Sequence, residues 1–318
     1  MASGNNKLPE VSKEEFERNL KELPAQEQKY YHQWWAAFQE VVTWDQFRAK
    51  GYKVIADTAQ EVNDHIVKVT GKPQQLKLAF MPTEIARTSP FFPMSRMEMK
   101  ERPLYKEFVI KNKWGSIAVS GPKLSIQDES VLLAVLFLAK KHKSERIKTD
   151  YAELCGIMMV SRGLNSYKSI EESLKRLTKT IVDTDLYESG NNEKVVRSIT
   201  GSILSNVDQK QGSTTVEILL NPYFLTLYGA NLTTGINLDL RAKLKGDVTK
   251  ALYRFLETHT GGGVPYGMLT LCYAINLNTE QPFFEIRKLI RRSLAELQKQ
   301  GYIKRWKIDK NDLVYIYK

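Results

Sequence analysis

From residue 125 to its last residue the chain passes twice through one order: three helical periodicities, then β-like runs joined by a tight turn. In the first pass Ser125 caps a strongly apolar helix from Ile126 to about Lys140. Asp128 sits at its third position, where a carboxylate meets the free N–H groups of the first turn. Thr149 or Asp150 caps a second helix to about Met158, and a third spans about Ser166 to Thr180. β-like runs follow at Val182–Glu188, Lys194–Asn206 and Thr214–Asn221. Gly190-Asn191-Asn192 joins the first two, supplying residues that tolerate positive φ. In the second pass a helix runs from about Asp239 to Thr258 and stops at Gly261-Gly262-Gly263. Helices at about 266–275 and 279–300 come next, then strands 302–308 and 313–317 around Asp309-Lys310-Asn311-Asp312. Three helices and a β-ribbon is the winged-helix order. The expectation is an α+β chain with two tandem winged-helix domains, at 76–230 and 231–318.

A chain of 318 residues exceeds what one core organises, which agrees with two domains and an appendage. The appendage, residues 1–75, reads as helical. Ser12 and Glu15 form a capping box, and Tyr31, Trp34, Trp35 and Phe38 share one face of a second helix with Val41 and Val42. That aromatic face reads as a packing surface against the first domain. A polar linker with Gly71 and Pro73 follows, then an irregular stretch at Phe91-Phe92-Pro93. A hairpin, 107–111 and 116–120, turns at Asn112-Lys113-Trp114-Gly115.

Charge adds a direction. Residues 1–75 carry ten basic and eleven acidic side chains, so the net charge of +11 belongs entirely to the rest of the chain. Such a basic excess serves solubility wherever it lies; placed on helices it points to a polyanion. In the third helix of the first pass, Tyr167, Ile170, Leu174, Leu177 and Ile181 make a core stripe. Lys168, Glu172, Lys175 and Lys179 lie opposite, with Arg176 alongside. In the third helix of the second pass the stripe is Phe283, Ile286, Ile290, Leu294 and Leu297. Lys288, Arg292 and Lys299 project from the other side, flanked by Arg287 and Arg291, against Glu285 and Glu296. The planar arginine fork matches the acceptor pair of guanine or grips a phosphate. Lys304, Arg305, Lys307 and Lys310 load the last hairpin around Trp306, as a wing along a phosphate backbone requires. An exposed basic face is also what an ordinary solvated helix shows, and lysines on an edge strand also discourage aggregation.

Catalytic patterns are missing from the sequence. No G-x-x-x-x-G-K-[ST] loop occurs, and His32, His65, His142 and His259 show no metal-ligand spacing. His259 falls at a helix C-terminus, which suits a structural imidazole. Acidic residues are not clustered as a two-metal nuclease needs. No cofactor, metal or enzymatic activity is expected. Cys155 and Cys272 sit in apolar stretches as buried thiols of a reducing compartment, and no apolar run approaches the ~20 residues of a membrane span. The expected location is the cytoplasm.

The run Gly121-Pro122-Lys123-Leu124-Ser125-Ile126-Gln127-Asp128-Glu129, leading into an apolar helix, resembles the first winged helix of TrfA-type plasmid replication initiators. Asn221-Pro222 before Phe224-Leu225-Thr226-Leu227-Tyr228 is similar to that family's strand exit, as are Leu240–His259 and Ile286–Leu297 with its Leu294-Ala295-Glu296-Leu297 ending. The likeness spans about residues 85–318. It implies a protein that binds directly repeated origin sites (iterons) in double-stranded DNA and helps melt an adjacent AT-rich region. It also implies recruitment of the host initiator protein and the host replicative helicase, and self-association between monomer and dimer, which makes the face of Tyr31, Trp34, Trp35 and Phe38 a candidate surface for docking the helicase or a second copy. A winged-helix transcriptional regulator without an initiation role would carry the same DNA-reading parts, and a basic scaffolding protein would show no site-specific footprint.

Overall fold

Ser125 and Asp128 close on each other at the start of the longest apolar run. Asp128 N–H donates to Ser125 Oγ (3.3 Å) while Ser125 N–H donates to Asp128 Oδ2 (2.7 Å), a reciprocal cap. The helix they start, Ile126–His142, is buried on nearly every side from Val131 to Val135, so it is the axis on which the first pass is packed. The computed structural model describes residues 77–318 apart from 88, 102–103, 112–114, 189–190, 222–232 and 260–264. The expectations at Ser12, Tyr31, Trp34, Trp35, Phe38 and the triple glycine lie outside the described residues.

Among the described residues the strands are β1 Leu78–Pro82, β2 Phe91–Phe92, β3 Leu104–Lys111, β4 Gly115–Pro122, β5 Leu124–Ser125, β6 Arg146–Asp150, β7 Ile181–Glu188, β8 Asn191–Ser202, β9 Leu204–Asp208, β10 Thr215–Leu220, β11 Thr233–Asn237, β12 Tyr266–Gly267, β13 Arg305–Ile308 and β14 Leu313–Tyr317. The helices are α1 Thr83–Arg87, α2 Arg96–Glu101, α3 Ile126–His142, α4 Tyr151–Met158, α5 Leu164–Lys179, α6 Leu238–Lys243, α7 Asp247–Glu257, α8 Met268–Ala274 and α9 Phe283–Lys299. The mixed helix-and-strand class is as expected.

The first pass keeps its expected three helices and later strands, with one strand, β6, added between α3 and α4. Asp150 is the cap of α4, its Oδ1 accepting from Glu153 N–H at 2.7 Å, and Met159 ends that helix in the left-handed region. Strands β3, β4, β7 and β8 form an antiparallel sheet in that spatial order. The run read as one strand over 194–206 is two: β8 stays in this sheet, while β9, beyond buried Ile203, joins β10 and β6. Strand β6, five residues with charges at alternate positions, pairs antiparallel with β10 from Arg146↔Leu219 to Asp150↔Thr215. Phe91-Phe92 is buried as β2, pairing in parallel with β5.

The second pass differs at two places. The helix expected over 239–258 breaks into α6 and α7 at Leu244–Gly246. A carboxylate from α9 supplies the missing partner there: Lys245 N–H donates to Glu296 Oε1 at 2.6 Å, and Thr249 Oγ1 donates to Glu296 Oε2 at 2.9 Å. α9 begins at Phe283 rather than near Thr279, because Pro282 disfavours helical geometry in Gln281 and forms an extended N-cap itself. Strands β12, β14 and β13 close the chain as a three-stranded antiparallel sheet. Its turn is fixed by Asp309 Oδ1, which accepts from Asn311 N–H (2.8 Å) and Leu313 N–H (2.9 Å).

The two passes are joined by more than chain continuity. β1 pairs antiparallel with β11, Leu78↔Asn237 to Pro82↔Thr233, so residues that precede the first pass pair with those that open the second. Arg87 Nη2 donates to Thr258 O at 3.0 Å, and Arg254 Nε donates to Ala86 O at 3.2 Å. Glu129 on α3 meets Arg254 on α7 and Arg241 on α6. The described residues all fall within one compact unit.

Candidate nucleic-acid interface

The amphipathic pattern of α5 buries Ile170, Leu174 and Leu177, and half-buries Tyr167. Ile181 leaves that stripe: it opens β7 and is 37% exposed. Burying one face commits the opposite one to solvent, and Lys168, Lys175 and Lys179 are exposed there, Lys175 ion-paired with Glu171 one turn back. Arg176 does not join them. Its side chain is only 13% exposed, and its Nε and Nη2 both donate to Asp128 Oδ1, at 3.0 and 2.8 Å. Nη2 also donates to Ser173 Oγ at 3.1 Å. The guanidinium ties α5 to the first turn of α3, so the residue expected to face a polyanion serves the core instead.

The same contact sets the charge of Asp128. Burial raises its carboxyl's pKa, but the Arg176 hydrogen bonds and charge, with the Ser125 and Ser173 contacts, outweigh burial and hold it below the ordinary value.

In α9, Ile286, Ile290, Leu294 and Leu297 are buried as expected, whereas Phe283 is 41% exposed at the helix start. Lys288, Arg291, Arg292 and Lys299 are exposed, Lys288 lying 3.5 Å from Glu285. Arg287 is drawn toward the terminal hairpin: Nε lies 3.2 Å from Asp312 Oδ1 and Nη2 donates to Asp309 O at 3.2 Å. It positions the hairpin against the helix. Glu296, set against the basic face by the sequence, bonds to the α6–α7 break and lines the same groove as Arg292 and Lys299.

On the hairpin Lys304, Arg305, Lys307 and Lys310 are exposed, and Trp306 is half-buried between them. Arg305 lies over the Tyr317 ring at 4.3 Å from its centroid, which orders a side chain that would otherwise be free.

Three further exposed residues border these faces without a signal in the helical wheel. Arg162 stands in the turn between α4 and α5, which the sequence marks only as loop. Lys245 falls inside the helix expected over 239–258; in the α6–α7 break it lines a groove of ≈ 880 Å³ together with Arg292, Lys299, Met97 and Leu289. Leu164 lies before the expected start of the third helix, near Ser166, and is the first residue of α5.

Other chemistry has little footing among the described residues. They contain no group of three or more His, Cys, Asp or Glu able to hold a metal, and no helix long and apolar enough to cross a membrane. Cys155 and Cys272 are buried free thiols, and burial pushes Cys272 up to about 11. His259 Nδ1 lies 3.0 Å from Phe255 O and 2.9 Å from Thr258 Oγ1, and its ring is tilted against Phe255. Those contacts place it at the end of α7 as a helix-end residue.

Comparison with known proteins fits this geometry. Residues 115–257, from the start of β4 to the end of α7, match the family model described as initiator replication protein, WH1. The chain is 22% identical over 232 residues to RepFIB replication protein A of Escherichia coli and of Salmonella typhi, covering 70% of this chain and 70% of each relative. Its fold is similar to that of domains 2 and 3 of RctB, with a TM-score of 0.54 over 74% of this chain and 98% of that one, at 12% identity. By that family match and those relatives, the chain is similar to plasmid replication initiators of the Rep type, the kind of protein its sequence was expected to resemble.

Proposed function

We propose that the chain initiates plasmid replication by binding directly repeated origin sites, iterons, in double-stranded DNA through two winged helices in tandem. The first comprises α3, β6, α4, α5 and the β9–β10 ribbon, joined in the order β6-β10-β9; the second comprises α7, β12, α8, α9 and the β13–β14 hairpin, joined in the matching order β12-β14-β13. One observation carries the reading. On the solvent faces of both third helices bases outnumber acids, Lys168, Lys175 and Lys179 against Glu172 in α5, and Lys288, Arg291, Arg292 and Lys299 against Glu285 in α9. Such an excess on a helix face suits phosphate neutralisation.

The DNA-binding set is then Lys168, Lys175, Lys179, Lys288, Arg291, Arg292 and Lys299 on the helices, with Lys304, Arg305, Lys307 and Lys310 on the wing. Winged helices of this kind place base-reading groups in the major groove and the wing along the backbone. The protein needs no cofactor and performs no chemistry of its own. It helps melt an adjacent AT-rich region and recruits the host initiator and replicative helicase in the cytoplasm, and a monomer–dimer equilibrium limits initiation. The test is replicative: the gene with its flanking DNA, including any direct repeats, is placed on a DNA circle lacking another origin. Maintenance in a suitable host supports the proposal. Site-specific binding without maintenance makes the protein a transcriptional regulator, and absence of any site-specific footprint makes it a scaffold.

A further inference from the structure

Large apolar side chains exposed on a folded surface are ordinary when scattered; two at the same place on two similar helices are not. Leu164, the first residue of α5, is 86% exposed, and Phe284, the second residue of α9, is 67% exposed. Each stands one turn before an exposed lysine on the same helical face, Leu164 before Lys168 and Phe284 before Lys288. The face continues through Glu172, Lys175 and Lys179 in α5, and through Arg291 and Arg292 in α9. An apolar tip thus opens a predominantly basic stripe in both helices. Water is a poor surrounding for either tip, and no described residue covers either to any large extent.

A third helix entering a major groove leads with its N-terminal residues, which meet base edges, while lysines further along meet phosphates. The apolar feature of a major groove is the thymine C5-methyl group, which Phe and aliphatic side chains contact. We infer that Leu164 and Phe284 recognise thymine through its methyl group, so that part of the sequence preference of each half is apolar. This inference rests on the DNA-binding reading above and assigns it two further specificity residues outside the basic set.

Deoxyuridine tests it, because it differs from thymidine only by the methyl group and pairs identically. Duplexes enriched by the full-length protein from a random-sequence pool are resynthesised with thymidine or with deoxyuridine throughout. Removing each recognised methyl should weaken binding about four-fold, at ~0.8 kcal/mol per buried methyl-sized group. The wild-type protein should therefore prefer the thymidine form by about four- to sixteen-fold. Leu164→Ser and Phe284→Ser should each remove part of that preference and the double variant nearly all of it, while Phe284→Leu retains it. Binding of all four variants to a random duplex should equal wild type, which also reports that they are folded. Equal wild-type affinity for the two forms overturns the inference and leaves DNA binding intact, as does a preference that survives in the double variant. Failure of the pool to enrich any sequence overturns the DNA-reading proposal itself.

Discussion

The Glu129 carboxylate of α3 lies 2.6 Å from Arg254 Nη1 of α7, with both side chains fully buried. Arg241 approaches the other oxygen at 3.4 Å, so one buried acid from the first pass answers two buried bases from the second. Removing the acid leaves two guanidinium groups without their carboxylate in the interior. Breaking a buried pair from one side costs about 3–5 kcal/mol. Glu129→Gln should lower unfolding stability by about that amount in urea titration. Because the pair bridges the halves, near-wild-type stability would mean they are held together elsewhere, by β1–β11 above all.

Asp128 and Arg176 give a pH-dependent prediction. The carboxyl's pKa lies below its ordinary value of 3.8 in the folded chain. A depressed carboxyl contributes stability that is fully present above the unfolded value and is lost as pH falls through the folded one. Asp128→Asn should therefore destabilise at neutral pH, by about 1.5–3 kcal/mol for hydrogen bonds to a charged group. The difference from wild type should shrink steadily below about pH 4 as the wild-type carboxyl takes up its proton. Thermal melts from pH 7 down to pH 3 check it; a constant difference would show that the charge is immaterial.

The same arrangement separates Arg176 from its neighbour. Arg176→Ala should reduce stability and leave the salt dependence of DNA binding nearly unchanged, since its guanidinium belongs to Asp128. Lys175→Ala should do the reverse, lowering the slope of log affinity against log salt by about 1 for the phosphate it neutralises. Unfolding curves and salt titrations of the two variants decide it.

These residues mark how far the sequence could be read. The sequence located α3, α5 and α9, the buried stripes Ile170–Leu177 and Ile286–Leu297, and the cap residue Ser125 with Asp128 at the third position (though not their reciprocal bonding), because each depends on neighbours within a turn or two. It missed what depends on partners far along the chain. The α6–α7 break is stabilised by Glu296, 51 residues from Lys245, and β1 finds its partner in β11 beyond the whole first pass. Arg176 looks free in the sequence for the same reason: on a helical wheel it neighbours Lys175 and Lys179, and only the packing of α3 brings Asp128 beneath it. Phe283 and Ile181 fit the spacing of their stripes, but each sits where its helix starts or has already ended.

Arg292 and Lys307 should divide the work of recognition. Arg292→Ala, on the exposed face of α9, should weaken binding to the enriched site by about 1–3 kcal/mol and leave random-duplex binding almost unaffected. Lys307→Ala, on β13, should weaken both alike. Competition titrations with enriched and random duplexes give the two ratios; equal losses in both variants on both duplexes would remove the division between helix and wing.

The most direct measurement is the salt dependence of the footprint on an enriched duplex. Two third helices and a wing should protect more than one helical turn, about 10 base pairs, and ~6–10 phosphate contacts should weaken affinity by about 10³–10⁵-fold between 50 and 200 mM salt. Protection confined to a single turn, or affinity indifferent to salt, would contradict the assignment of both basic helix faces to the duplex.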